Sequence, residues 1–210
     1  MDYQKLAGDI LFGGDILDNA MRGIFIEAVV LDALRRTDDT HGTPTRWHHI
    51  GLGWGLWDLQ RGTAAGGDRV RVQVKTSAAV QLWQAPSARK EARFTLGWTD
   101  KPPPPYFAQS MDVTHVGGCE PTGYRADILL LAWHETGRQS NPADFEFFLL
   151  PTRALQATAT PPKRLLVRNI RENWQSHRFG NLPSALNAAC DSFLASEAGA
   201  AVDADLSRYR

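Results

Sequence analysis

Trp57 to Ser77, "WDLQRGTAAGGDRVRVQVKTS", sets Asp58 among apolar neighbours, crosses a glycine-bearing turn at 61–68, and then alternates strictly: Val70, Val72 and Val74 against Arg71, Gln73 and Lys75. Alternation of period two predicts a strand with one buried face and one polar face. The polar face has two readings: an edge strand whose arginine, glutamine and lysine are simply solvated, or a strand that holds Gln73 and Lys75 toward a site. Gln73 and Lys75 point the same way, and Asp58, on the strand that reaches them through the turn, is placed to sit beside them. A carboxylate, an amide oxygen and an ammonium are then expected together.

Upstream, residues 18–36, "DNAMRGIFIEAVVLDALRR", carry apolar side chains at close to the spacing of one helical face and predict a helix, capped by Asp15 or Asp18. Glu27 lies on the apolar side of that helix between Ile26 and Ala28, where a carboxylate requires a partner or a metal. Strands are expected near 46–50, 54–60, 69–76 and 91–98, forming an antiparallel meander, followed by a long connection that includes four consecutive prolines, Pro102 to Pro105. "ADILLLAWH", 126–134, is apolar almost throughout, as for a strand covered on both faces, and "FEFFLLP", 145–151, reads as its neighbour and as the last strand of the sheet. "RALQ" and "LPSALNAACDSFLASEA" predict helices. Helix, strands, then helix indicates an α/β or α+β sheet flanked by helices. One domain is expected over 1–210, with a core at 15–150 and a helical C-terminal extension at 151–210.

The 210 residues are 43% hydrophobic and 22% charged, enough to bury a sizeable core. No apolar run approaches the roughly 18–20 residues of a membrane span, and the N-terminus lacks the pattern of a secretory signal, so a cytoplasmic location is expected. Cys119 and Cys190 have no histidine at ligand spacing and read as plain thiols. The adjacent His48 and His49 face opposite ways on a strand and carry no metal-binding spacing. Asp127, at the start of the apolar strand, reads as a solvated strand-end aspartate.

A formal net charge of zero argues against a protein whose whole surface grips nucleic acid. The charge is nevertheless uneven: residues 61–101 hold eight Lys/Arg against three Asp/Glu, and residues 153–178 hold six against one. These two segments are expected to border one groove.

"WDL" followed by "VQVKTS" resembles the split signature of the PD-(D/E)XK, or restriction-endonuclease-like, nucleases. "NAMRGIFIEAVV" is similar to their first-helix glutamate and "ADILLLAWH" to their next core strand. The resemblance spans about residues 15–150 and implies an α/β fold with a mixed central sheet flanked by helices. It also implies a catalytic set of Asp58 as central metal ligand, Gln73 as second ligand, Glu27 as helix carboxylate and Lys75 as catalytic lysine. Gln73 departs from the commoner glutamate and removes one negative charge; Mrr-like restriction enzymes share Gln-x-Lys. "KTSAAVQLW" resembles proteins of the same fold that carry a similar Gln81 and Trp83.

The function implied is hydrolysis of DNA phosphodiester bonds with Mg²⁺, or Mn²⁺ in its place, in restriction or another defence against foreign DNA. Contacts to DNA are assigned to Arg22, Arg61, Arg71, Arg89 and Lys90. The lysine would orient or deprotonate the attacking water, or stabilise charge on the phosphate. A second hypothesis is a non-catalytic module of the same fold that binds nucleic acid or a protein partner. A third is a structural subunit, as a homodimer or beside another chain.

Overall fold

The seven residues Ile128–His134 are all buried, so they lie inside a sheet covered on both faces. The computed structural model describes residues 19–40, 46–50, 57–63, 66–80, 92–99, 123–135 and 140–206. Helix α1 (Asn19–Thr40) precedes strands β1 (Trp47–His49), β2 (Leu59–Arg61), β3 (Val70–Ala78), β4 (Arg93–Thr95), β5 (Ile128–His134) and β6 (Glu146–Pro151). Helix α2 (Thr152–Gln156), β7 (Arg164–Leu166), α3 (Val167–Asn173), β8 (Ser176–His177) and α4 (Leu182–Leu206) complete the described chain. The protein is an α/β fold: six strands in the order β1-β2-β3-β5-β6-β8 form a mixed sheet packed against helices, and only β3 and β5 run parallel.

Alternate residues of β5 supply two cores. Ile128, Leu130 and Ala132 join Val70, Val72 and Val74 of β3 and the apolar stripes of α1 and α4. Leu129, Leu131 and Trp133 join Phe94, Leu96, Leu155, Val167 and Ile170 on the other face. The stripe of α1 is the row Ile26, Val30, Leu34, spaced by four, and that of α4 is Leu182, Leu186, Cys190. Burial pushes the Cys190 thiol up to about 12, consistent with an unreactive thiol. No described helix is long and apolar enough to cross a membrane.

Two sequence expectations about the sheet are corrected. The segment 91–98 does not continue the meander: β4 leaves the main sheet and pairs with β7 in a separate two-stranded ribbon, Arg93 opposite Leu166 and Thr95 opposite Arg164. Nor does the sheet end at Pro151, because β8 adds to the free edge of β6 through Phe147↔His177 and Phe148↔Ser176. The strand at 91–98 is expected and only its partner differs, whereas β8, of two residues, is too short for periodicity to reveal. The chain after Pro151 therefore contributes strands as well as helices. Residues 100–122, with the proline run and Cys119, lie outside the described residues, as do Asp15 and Asp18.

Candidate active site at the open end of strand β2

Strand β2 begins at Leu59, whereas β3 runs on past the point opposite it, which leaves the Val74 N–H without a β2 backbone partner. Asp58 fills that position: its Oδ2 accepts from the Val74 N–H at 2.7 Å, and its own N–H donates to the Val72 carbonyl at 3.1 Å. The turn at 61–68 thus returns the aspartate to β3, as the opening stretch predicts.

Gln73 and Lys75 pair with Leu129 and Leu131, so they stand on the face of the second core, half-buried. Helix α1 covers the opposite face. Glu27 nevertheless reaches Asp58 electrostatically; among the described residues β2 does not run beside β3 at this level, where β3 pairs with β5 alone. Burial, then the Glu27 carboxylate, hold the Asp58 carboxyl up at about 6 from its usual 3.8; Lys75, the Val74 N–H and His49 pull the other way. Asp58, Glu27, Lys75 and His49 therefore form one interacting cluster.

His49 is the member that sequence reasoning missed. Its Nε2 lies 3.1 Å from Glu27 Oε2 and donates to it, while the neighbouring His48 is exposed. The two rings do face opposite ways, and the inward one finds its partner 22 residues upstream on a helix. Only the half-buried glutamate signalled that a partner was needed.

Gln73 is held differently. Gly97 follows β4 with φ +72, and a Cβ placed there would stand 3.1 Å from Gln73 Oε1, so the amide is seated against the glycine backbone. The ribbon is further fixed to β3 by Ser77 Oγ, which donates to the Arg93 carbonyl at 3.1 Å.

Among the described residues, no three His, Cys, Asp or Glu side chains stand together as a ready metal cage. No family model, curated protein or solved structure matches this chain. The reading of the site thus rests on its own geometry.

The arginines assigned to DNA contacts are placed otherwise. Arg22 is fully buried, because it continues the i, i+4 row of Ile26, Val30 and Leu34. Arg61 donates to the Asn187 carbonyl and pairs with Asp191 at 2.8 Å, tying β2 to α4. Arg71 is clasped by Asp127: its backbone N–H and Nε donate to Oδ2 at 2.7 and 3.0 Å, and a terminal nitrogen donates to Oδ1 at 2.6 Å. The guanidinium also lies 5.6 Å from the ring centroid of the buried Trp57. Asp127, at 7% exposure, is accordingly a buried ion-pair partner and not a solvated strand end. Arg89, Lys90, Gln81 and Trp83 lie outside the described residues.

Proposed function

We propose that this chain is a metal-dependent nuclease of restriction-endonuclease-like fold that hydrolyses DNA phosphodiester bonds, with Asp58, Glu27 and Lys75 as its reacting groups. The observation that carries this reading is Asp58, held by the Val74 N–H beside β3 and raised far above an ordinary aspartate by burial and the Glu27 carboxylate, with the Lys75 ammonium also in electrostatic reach.

A carboxylate whose ionisation is made costly by burial and by a second carboxylate suits a hard divalent cation, which takes oxygen ligands and keeps several waters, so a three-ligand cage is not required. Asp58 and Glu27 would hold Mg²⁺ or Mn²⁺, and the Gln73 amide would offer a neutral oxygen from the residue next to Val74, whose N–H binds Asp58. Bound there, the ion would polarise the phosphate and favour a hydroxide nucleophile. Lys75, on the opposite face from α1, supplies the positive charge that offsets charge developing on the phosphate. His49 fixes the Glu27 carboxylate through their hydrogen bond. Restriction or defence against foreign DNA is the setting this chemistry suits.

Cleavage of supercoiled, linear and single-stranded DNA, and of RNA, with Mg²⁺, Mn²⁺ or chelator tests the proposal. Metal-dependent DNA cleavage should fall by about 10²-fold or more in Lys75→Ala. Equal cleavage by wild type and Lys75→Ala would place the activity elsewhere. A second reading, a non-catalytic nucleic-acid-binding module, is favoured by Gln73 being seated against Gly97 and by the lack of a three-ligand cluster among the described residues. Metal binding and DNA binding with no cleavage under any of these conditions would select it.

A further inference from the structure

The ribbon of β4 and β7 joins the two basic segments of the chain. Residues 92–99, "ARFTLGWT", and 161–168, "PPKRLLVR", contain Arg93, Lys163, Arg164 and Arg168 and no acidic residue. Three exposed arginines elsewhere sit beside carboxylates, Arg36 with Asp32, Arg153 with Glu197, and Arg171 with Glu135 and Glu146.

The ribbon has two distinct faces. Phe94 and Leu96 turn inward to the second core, while Arg93 and Thr95 are exposed. Residues directly opposite in an antiparallel pair share a face, so Arg164, opposite Thr95, joins Arg93 on the outside. Just past the ribbon end, Lys163 is exposed with its ammonium over the Trp98 ring at 5.0 Å, a third cation beside the outer face and not on it. The same ribbon carries Gly97 against Gln73 and is hydrogen-bonded to β3 through Ser77, so it is anchored to the strand that bears Gln73 and Lys75.

We infer that the outer face of the β4–β7 ribbon, with Arg93 and Arg164 on it and Lys163 at its end, is the surface that receives the phosphate backbone of duplex DNA bound for the site at β2. The inference takes its ligand from the proposed nuclease reading and its location from the ribbon's own geometry. Two cations on a narrow two-stranded surface and a third at its end suit a regularly charged backbone, and the short outward side chain of Thr95 leaves space between them.

Fluorescence anisotropy of a labelled DNA duplex with the full chain, in chelator and over a range of salt, tests this. The double variant Arg93→Gln with Arg164→Gln should bind about 10-fold more weakly and lower the slope of log affinity against log salt by about two, near 0.9 for each phosphate that is no longer neutralised. Thr95→Glu, a single exposed substitution that sets a carboxylate directly opposite Arg164, should weaken binding comparably, whereas Arg93→Lys with Arg164→Lys should keep most of it. Thermal midpoints of all variants should stay near that of wild type. Wild-type affinity and salt slope in both the double Gln variant and Thr95→Glu would overturn the inference, as would wild-type binding that is absent or flat in salt, or tighter binding to an RNA duplex. Ribbon-dependent binding without any cleavage would leave the surface standing and remove the nuclease. Cleavage that is insensitive to the ribbon variants would do the reverse.

Discussion

Asp58 is costly to the fold in its charged form. Its carboxyl titrates at about 6 in the folded chain against 3.8 as the ordinary value, so between those values the folded state holds more protons than the unfolded one. Stability must therefore fall as pH rises through this window, and the loss is complete above about 6. Asp58→Asn keeps an oxygen for the Val74 N–H and removes the charge; it should be more stable than wild type by roughly 1–2 kcal/mol near neutral pH and converge with it in acid. Parallel curves of unfolding free energy against pH would sink this account. Added Mg²⁺ should raise the wild-type melting temperature and leave Asp58→Asn nearly unmoved, since a ligand stabilises only the state that binds it. At Gly97, alanine would be strained at φ +72 and would press on Gln73 Oε1, so Gly97→Ala should cost about 1 kcal/mol and impair cleavage more than Gln73→Glu does. That Asp58, Glu27 and Lys75 are polar groups on otherwise apolar elements was legible in the sequence from alternation and amphipathicity. His49 was not, because its role arises from a helix and a strand meeting in space.

Arg71 and Asp127 join two parallel strands at their starts. The bond from the Arg71 backbone pins the register of β3 against β5, while the guanidinium fills the space between Asp127 and Trp57. Asp127→Ala leaves that arginine without its carboxylate and should destabilise by about 3 kcal/mol in urea unfolding, whereas Arg36→Ala, whose Asp32 partner is solvent-exposed, should change stability by no more than about 0.5 kcal/mol. Equal effects would show that the clasp contributes no more than a surface pair. The long elements α1, β3, β5, β6 and α4 were readable from periodicity. β4 falls within the strand expected at 91–98, but its partner was not readable, and the short β7 and β8 were not expected, since their partners are distant in the chain. The placement of β4 outside the main sheet follows from its inward residues, Phe94 and Leu96, which pack on the second core and do not extend the β1–β2 edge.

The two cores share β5 as a common wall, so they are expected to melt together. Leu130→Ala on one face and Leu131→Ala on the other should each cost about 2–5 kcal/mol and each move a single cooperative transition. A biphasic curve in which only one phase shifts would show that the faces unfold independently. At this scale the sequence announced a sheet covered by helices, because the unbroken apolar run of β5 admits no other placement, while the split between main sheet and ribbon depended on pairings that no local pattern encodes. The ribbon also imposes an order of events on a growing chain. Thr95 faces Arg164, a residue synthesised 69 positions later, and Phe94 and Leu96 have no finished core until α2 and α3 have emerged and packed. Until then the hydrophobic side of β4 is open to solvent while β1, β2 and β3 already have their local partners. Translation that stalls between these points would leave an aggregation-prone strand attached to a half-built sheet.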